Sequence, residues 1–298
     1  MLGIGACGRP ARRAAQPRRQ PASSDVEIVR GVHYRRLATP ESPIWLVDVD
    51  LTQPGIRVGV ACRRLKRDES PRYGDALTAG EWCSATGAVA AVNGGYFGDS
   101  DGGRKEIVGL LASRGEVLSG ARRRRGSRGG YVGSVFGVDP DGAPGIRWAI
   151  GSRGRQADLT VFDHPEGRAQ ATRWRVRDAV GCGPTLVHEG RLRVTDRQER
   201  LASRGRLPRT FVCYSVRDGR TDRLVLAVAA SMEYSDAARF ITGYFPSTHR
   251  QRCWAAMCLD GGGSSQLAYV REGRVSTPAP SPVTVPTAVV VWSGADKR

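Results

Sequence analysis

The sequence predicts an α+β fold in which two packed, mostly antiparallel β-sheets are flanked by a few helices. Apolar runs of four to eight residues recur from Val26 onward, which is the usual length of a β-strand. Turn-forming pairs such as Asp141-Gly142 and Asp218-Gly219 separate these runs. The chain has 298 residues, of which 40% are apolar, and this is enough for one large core. We therefore predict a single domain over residues 25–298.

Residues 1–24 precede this domain and differ from it in composition. They combine glycine, proline and arginine without an apolar repeat, which predicts a disordered basic tail. Residues 4–7 (IGAC) resemble the lipobox that ends a bacterial lipoprotein signal, and Cys7 would then carry a lipid anchor. Only six residues precede Cys7, so two interpretations stay open. The segment is either the remnant of such a signal or a chance match.

The predicted strands follow one another along the domain. Each is rich in Val, Ile, Leu or Trp, and each is bounded by turn residues. The clearest runs span residues 44–49, 56–61, 107–111, 132–138, 179–187, 210–216, 224–229 and 288–292.

Two stretches, residues 73–86 and 235–244, have the composition of helices. Ser235 is the predicted N-cap of the second, and Asp236 falls in its first turn. Each helix leads into a run of small apolar residues that ends in one polar residue followed by glycines. The two polar residues are therefore delivered from strand ends in similar settings, and they are candidates for one shared site.

The first of these residues, Asn93, is the only asparagine in the sequence. It lies directly before Gly94, Gly95 and Tyr96. Two interpretations stay open. Asn93 begins a hairpin turn, or its carboxamide faces a ligand that the glycines admit close to the backbone.

The second residue, Asp260, is followed by Gly261, Gly262, Gly263 and Ser264. A glycine-rich backbone exposes N–H groups that bind anions such as phosphate oxygens. A Walker A phosphate loop is excluded, because no Gly-Lys-Ser/Thr follows. The alternative is a glycine turn with Asp260 as a local cap. A carboxylate at the end of a buried run, followed by so many glycines, favours a functional site.

A third motif lies in the run 179–187, which Gly181 and Gly183 interrupt. Glycine in a strand indicates a bulge or the close approach of another backbone or a ligand. Cys182 lies between the two glycines, and no histidine is placed to activate it. We therefore predict a buried or disulfide-bonded cysteine at this position in preference to a nucleophile.

The chain is strongly basic, with 46 Lys+Arg against 29 Asp+Glu and a net charge of +17. A field of this sign attracts polyanions such as phosphorylated glycans or nucleic acid. The basic runs at 12–19 and 122–128 contain no aromatic residues, so nucleic-acid binding is only an alternative. Residues 120–130 are predicted to form a mobile surface loop. Arg209, which with Thr210 opens a strand, is a candidate phosphate clamp, because its guanidinium donates two parallel hydrogen bonds.

Neither a membrane span nor a metal site is predicted. No apolar run approaches the roughly 18 residues of a spanning helix. The seven cysteines and four histidines show no zinc spacing. If a divalent ion were bound near Asp260, Asp99 or Asp101 would be the candidate partners. No recognisable ligand loop supports such a site. We therefore predict no metal and no cofactor. Apart from Cys7, six cysteines remain, a number that allows pairing in an oxidising compartment.

Four of these motifs resemble, in the same order, those of the phosphodiester glycosidase family. The resemblance extends over roughly residues 26–292, and residues 285–290 (VPTAVV) resemble the last strand of that family. It implies hydrolysis of the sugar–phosphate glycosidic bond of a sugar-1-phosphodiester, of the GlcNAc-1-phosphodiester kind, with release of free sugar and a phosphomonoester. The matching pieces are residues 92–97 (VNGGYF), 181–186 (GCGPTL), 208–210 (PRT) and 259–265 (LDGGGSS).

The resemblance also implies roles for individual residues. Arg209 and glycine N–H groups would hold the departing phosphate, which leaves as a stable anion and needs no general acid. Asp260 would act as nucleophile, as general base or as stabiliser of an oxocarbenium-like centre, and Asn93 would orient the sugar or the water. The other implied substrate-binding residues are Gly94, Gly95, Tyr96, Gly181, Gly183, Thr210, Gly261, Gly262, Gly263 and Ser264.

Two alternatives to this function stay open. One is a protein that binds polyanions or nucleic acid, and the other is a protein of the same fold that binds phosphoglycans without hydrolysing them. We expect a secreted or cell-envelope protein, a lipoprotein if Cys7 is anchored, although a cytoplasmic location stays open as well.

Overall fold

The computed structural model describes residues 24–39, 42–63, 73–98, 104–121, 124–126, 129–154, 156–167, 172–201 and 205–294. The predicted tail lies outside these residues except for Ser24, and so do Cys7, Asp99 and Asp101.

Within these ranges the chain forms 25 β-strands and two α-helices. Up to residue 150 the elements are β1 (Ser24–Val29), β2 (Val32–Ala38), β3 (Pro43–Asp50), β4 (Arg57–Cys62), β5 (Tyr73–Asp75), α1 (Ala79–Thr86), β6 (Ala90–Asn93), β7 (Phe97–Gly98), β8 (Arg104–Ile107), β9 (Leu111–Ser113), β10 (Glu116–Ser119), β11 (Arg124–Gly126), β12 (Gly129–Tyr131), β13 (Ser134–Val138) and β14 (Pro144–Ile150). After it they are β15 (Asp158–Phe162), β16 (Thr172–Arg175), β17 (Asp178–Cys182), β18 (Thr185–His188), β19 (Arg191–Leu192), β20 (Leu207–Arg217), β21 (Arg220–Met232), α2 (Tyr234–His249), β22 (Ala255–Cys258), a 3-10 helix (Gly262–Ser264), β23 (Leu267–Arg271), β24 (Arg274–Ala279) and β25 (Thr287–Trp292).

The fold is mainly β. The prediction of two sheets is wrong, because the described strands form five sheets. All strand pairs among the described residues are antiparallel, but they form sheets of eight, seven, five, three and two strands. The eight-stranded sheet has the order β1-β2-β3-β21-β20-β22-β18-β19, and the five-stranded sheet has the order β24-β23-β6-β25-β4. The prediction of a few helices is met by the two that form. Among the described residues, no helix combines the length and apolar character that crossing a membrane requires.

Both predicted helices begin at other residues than expected. The first predicted helix starts instead as the strand β5, and α1 begins only after Thr78. Thr78 and Glu81 form a capping box, in which each side chain accepts a hydrogen bond from the other residue's backbone N–H. In the second helix Glu233 is the N-cap, so Ser235 lies inside the helix and the predicted cap is wrong.

Two predicted strands are interrupted in the structure. The run 107–111 divides into β8 and β9, which belong to different sheets. The run 179–187 divides into β17 and β18 at Gly183, whose φ of +146° takes the backbone out of strand geometry. The loop predicted at 120–130 contains the paired strands β11 and β12, and residues 122–123 and 127–128 are outside the described ranges.

A shared core joins the three large sheets. Val212 of the eight-stranded sheet, Phe136 of the seven-stranded sheet and Val92 of the five-stranded sheet are all fully buried in one apolar cluster. On the far side of the eight-stranded sheet, α2 packs through Ile241 and Phe245, both fully buried. This arrangement brings the ends of β6, β17, β20 and β22 to one place.

A buried ionic cluster joins β3 to the end of α2. The Asp48 carboxylate, 2% exposed, accepts a hydrogen bond from the Tyr244 hydroxyl at 2.6 Å and lies 2.7 Å from His249 Nε2. Arg35 and Arg223 each lie 3.8 Å from a carboxylate oxygen of Asp48. Burial by itself would raise the pKa of Asp48, but the hydrogen bonds and positive charges outweigh it, and the pKa is lowered.

We expect Asp48→Asn to lower the free energy of unfolding at neutral pH by about 3 kcal/mol, because the variant breaks a buried ion pair. A lowered pKa means that the stabilisation is present above the ordinary Asp value of 3.8 and is lost as the pH falls through the folded-state pKa. The difference between wild type and variant should therefore shrink in acid. Urea unfolding between pH 7 and pH 3 measures it. Asp158→Asn is the control and should change little, because its partner Arg173 is 74% exposed and lies outside the cluster. A difference between wild type and Asp48→Asn that grows in acid would contradict the assignment.

Candidate active site

Asn93 ends β6 and is fully buried. Its Nδ2 donates to the backbone oxygen of Asp260 at 2.7 Å. Its Oδ1 accepts from the Thr210 hydroxyl at 2.7 Å and from the Gln266 backbone N–H at 3.1 Å. The carboxamide therefore ties the start of β20 and both ends of the glycine-rich loop to the five-stranded sheet. Asn93 and Asp260, two residues from strand ends far apart in the sequence, are thus in direct contact.

We expect Asn93→Ala to lower the free energy of unfolding by about 3 kcal/mol, because three buried partners lose a hydrogen bond. Thr210→Val removes only one of the three bonds and keeps the side-chain shape, so its loss should be about 1 kcal/mol. Urea unfolding of both variants measures the two losses. Equal losses would mean that the Asn93 carboxamide does not hold the loop as a unit.

The Asp260 carboxylate is held at the start of this loop. Its Oδ1 accepts a hydrogen bond from the backbone N–H of Gly261 at 2.9 Å, and its own N–H donates to the oxygen of Gly94 at 3.0 Å. Burial raises the pKa of Asp260, and hydrogen bonds from the Ser264 hydroxyl and the Gly261 N–H offset this only in part, so the pKa is raised. A half-buried carboxylate whose pKa is raised in this way is a candidate for proton transfer.

Arg209 brings a buried positive charge to the same place. The residue is 5% exposed, and its guanidinium carbon lies 4.0 Å from the centre of the Tyr234 ring. Nε donates to the oxygen of Met232 and Nη2 to the oxygen of Gly205, both at 3.1 Å. Among the residues that the structure describes, no carboxylate forms an ion pair with it. Nη1 borders Gly261, where a Cβ atom would lie 3.6 Å from it. A buried guanidinium without an acidic partner is suited to an anionic ligand.

Cys182 ends β17 of the seven-stranded sheet, and it is only 5% exposed. Burial raises its pKa well above the ordinary value, and the nearby Asp260 charge raises it further, so the thiol is neutral. This agrees with the prediction of a buried cysteine. The six cysteines within the described ranges are all free, so the pairing that their number allows does not occur among them.

A family model described as phosphodiester glycosidase matches residues 86–292. The match covers more than half of the chain and includes Asn93, Arg209 and Asp260. The chain belongs to the phosphodiester glycosidase family. The resemblance seen in the four sequence motifs is thereby confirmed. No curated protein matches the chain in sequence.

Solved structures share the fold of this family member at low sequence identity. A hypothetical protein from Synechocystis superposes with a TM-score of 0.57 and 13% identity; the match covers 92% of this chain and 64% of that protein, so this chain spans less than two thirds of it. The zebrafish N-acetylglucosamine-1-phosphodiester alpha-N-acetylglucosaminidase catalytic domain, auto-inhibited by its pro-peptide, superposes with a TM-score of 0.52 and 16% identity, over 92% of this chain and 82% of that one.

In this member of the family the glycines next to the site allow close backbone contacts. A Cβ atom at Gly94 would lie 2.3 Å from the Thr287 hydroxyl oxygen, and one at Gly95 would lie 2.5 Å from the oxygen of Gly181. Tyr96 follows them, and its hydroxyl donates to the oxygen of Gly183 at 2.8 Å. These predicted binding residues thus lie at the site, where their contacts position the backbone.

The remaining predicted residues surround the carboxylate. Gly183 donates its N–H to the oxygen of Cys258, two residues before Asp260, at 3.1 Å. Gly262 has a φ of +62°, which favours glycine, and it begins the 3-10 helix Gly262–Ser264 that turns the loop back toward Asp260. The structure therefore brings all thirteen predicted site residues into one region.

Sequence reasoning missed two residues of this region. Tyr234 carries the ring beneath Arg209, and Glu199 is a carboxylate only 1% exposed that packs against Gly183. Glu199 stands between Gln198 and Arg200 in a polar stretch, which looks like a solvated surface turn. Tyr234 begins a helix and belongs to no motif. Neither residue carries a local signal that would have identified it.

The described residues contain no cluster of three or more side chains of the kinds that hold a metal ion. Asp99 and Asp101, the candidate partners of Asp260 at such an ion, lie outside the described ranges. We assign no metal to the site.

Proposed function

We propose that this phosphodiester glycosidase hydrolyses the sugar–phosphate glycosidic bond of a sugar-1-phosphodiester and releases free sugar and a phosphomonoester. The observation that carries the proposal is the guanidinium of Arg209, which is buried and has no carboxylate partner among the described residues. It borders Gly261, the residue next to the Asp260 carboxylate. A buried cation that borders the residue after a carboxylate suits a substrate whose phosphate lies next to a reacting carbon.

The leaving group explains why one carboxylate suffices in this proposal. Ordinary glycosidases protonate the departing oxygen with a second carboxylic acid, because an alkoxide leaves poorly. A phosphomonoester leaves as a stable anion, so a fixed cation takes the place of the acid. Arg209 fills this role, with the N–H groups of Gly262 and Gly263 as further donors to the phosphate oxygens.

Asp260 acts at the anomeric carbon. As the bond from that carbon to the phosphate oxygen breaks, its electron pair leaves with the phosphate, and the oxygen of water bonds to the carbon. Asp260 accepts the proton of this water if the reaction inverts configuration. If the reaction retains configuration, the carboxylate itself bonds to the carbon first; water then displaces it and gives up its proton to the released phosphate or to solvent, which restores the free carboxylate. The anomeric form of the released sugar, followed by NMR, distinguishes the two roles.

Asn93 serves the reaction through Asp260. Its carboxamide holds the backbone oxygen of that residue at 2.7 Å, and its own oxygen already accepts two hydrogen bonds. We therefore propose Asn93 as a positioning residue, in preference to a group that contacts the sugar or the water. For the sugar itself we propose N-acetylglucosamine, because the structurally similar zebrafish protein is an N-acetylglucosamine-1-phosphodiester alpha-N-acetylglucosaminidase.

Hydrolysis of UDP-GlcNAc and a panel of sugar-1-phosphodiesters by the purified protein tests the proposal. Free sugar and the phosphate-bearing product are followed separately, with Asp260→Asn as the control. We expect free sugar that disappears in the control. A sugar phosphate product would mean cleavage at phosphorus and would overturn the proposal. Binding of the panel without turnover would instead support a phosphoglycan-binding protein.

A further inference from the structure

A narrow cleft, open to solvent, adjoins the proposed active site. It lies at the end of the seven-stranded sheet, where an added Cβ atom at Gly109 or Gly133 would meet no other atom closer than 3.8 Å. Cys182 lies in its wall and directly precedes Gly183, whose N–H donates to the oxygen of Cys258, two residues before Asp260, at 3.1 Å. The cleft and the carboxylate are therefore neighbours.

Most of the wall is apolar. It includes Val108, Leu110, Val135, Ala149 and Leu201, and four of its described residues carry a polar side chain. Those four are Tyr96, Ser134, Cys182 and Glu199.

The strongly polar groups of the wall are already bonded within the protein. Glu199 accepts hydrogen bonds from the backbone N–H of Ser134 at 2.8 Å and from its hydroxyl at 2.7 Å. It also accepts from the Thr195 hydroxyl at 2.5 Å, the Thr185 N–H at 3.1 Å and the Trp148 Nε1 at 3.3 Å. These bonds leave Glu199 and Ser134 with little capacity for a ligand.

Tyr96 and Cys182 add no strong donor to the cleft. The Tyr96 hydroxyl donates its proton to the oxygen of Gly183 at 2.8 Å, and the neutral thiol of Cys182 is a weak donor. A sugar ring in the cleft would therefore find few side-chain partners for its hydroxyls, and each hydroxyl left unpaired weakens binding roughly tenfold or more. An alkyl chain gains instead, because each buried methylene strengthens binding roughly fourfold.

We propose that the cleft binds an alkyl chain of the alcohol on the phosphate side of the substrate, so that the enzyme acts on sugar-1-phosphodiesters of an apolar alcohol. The inference rests on the proposed function for its phosphodiester. Of the two arms of that phosphodiester, the sugar fits the cleft less well, because the side chains of the wall offer its hydroxyls few partners. The phosphate-bearing alcohol is the arm that remains.

Binding of alkyl phosphates tests the cleft without any turnover. We expect octyl phosphate to bind at least about tenfold more tightly than methyl phosphate in titration calorimetry, with butyl phosphate between them. Ala121→Trp places a large side chain at the half-buried rim of the cleft and should abolish this dependence on chain length. Ala143→Trp, at an exposed turn outside the cleft, is the matched control and should preserve it. Equal affinities in the wild type, or a gain that survives in Ala121→Trp, would overturn the proposal.

A second variant and a turnover assay separate this inference from the proposed function. Leu201→Ser makes the wall polar at a half-buried position, and it should reduce the gain from chain length even if Ala121→Trp does not fold. In turnover, the octyl ester of GlcNAc-1-phosphate should have a kcat/KM at least about tenfold above that of the methyl ester. Hydrolysis of both esters at equal rates would overturn the cleft proposal alone. Chain-length-dependent binding without any hydrolysis would overturn the proposed function alone.

Discussion

Asp260→Asn is expected to lower the turnover of a sugar-1-phosphodiester at least about a hundredfold, which is the typical loss on removing a positioned acid or base. The fold should be retained, because the hydrogen bonds that place the residue are made by its backbone, to Gly94 and Asn93. The amide oxygen of the variant can still accept the N–H of Gly261. The substitution therefore removes the charge and leaves the shape.

The pH profile adds a second signature to this prediction. The burial of Asp260 raises its pKa above the ordinary value of 3.8, and the ionised form is the one that attacks or accepts a proton. The rate should therefore fall as the pH drops through this raised pKa, and the acidic limb should be absent from the residual activity of the variant.

Asp158→Asn is the matched control, since this half-buried carboxylate pairs with Arg173 away from the site at 2.9 Å. It should keep wild-type turnover and the wild-type pH profile. Near-normal turnover by Asp260→Asn would remove the residue from the mechanism.

The location of the site was predictable from local sequence, because its central residues stand in unusual contexts. Asn93 and Asp260 each end a run of small apolar residues and precede glycines. Such a pattern predicts a buried strand whose last residue is followed by a turn that leaves room for a ligand. That the two touch is a result of the topology. Asn93 belongs to the five-stranded sheet and Asp260 follows the eight-stranded one, and sequence does not show which sheet ends meet.

Other features could not be predicted from the sequence, because they depend on contacts between distant segments. Gly183 ends β17 although the apolar run continues through it, so one predicted strand becomes two in different sheets. In the sequence Glu199 looks like a surface charge. In the structure it accepts hydrogen bonds from five donors, which belong to β13, β14, the start of β18 and Thr195. The wall of the cleft consists of common Gly, Ala, Val and Leu residues from several strands, which form no motif.

Arg209→Ala is expected to lower kcat/KM for a sugar-1-phosphodiester about a hundredfold, because charge-assisted hydrogen bonds to the leaving phosphate are lost. An aryl glycoside with a good leaving group has no phosphate to hold, so its hydrolysis should change only a few-fold. The ratio of the two losses is the informative quantity, since a general loss of structure would lower both rates alike.

Two further variants make the Arg209 prediction decisive. Arg209→Lys keeps the charge but lacks the planar fork, so it should recover only part of the phosphodiester activity. Arg206→Ala removes a nearby arginine that pairs with Asp236 at 2.7 Å on the surface, and it should leave both activities unchanged. Because the guanidinium of Arg209 also holds the oxygens of Met232 and Gly205, urea unfolding must accompany the kinetics. Equal losses on both substrates in a folded Arg209→Ala variant would count against a phosphate role, because only the phosphodiester presents an anion to the guanidinium.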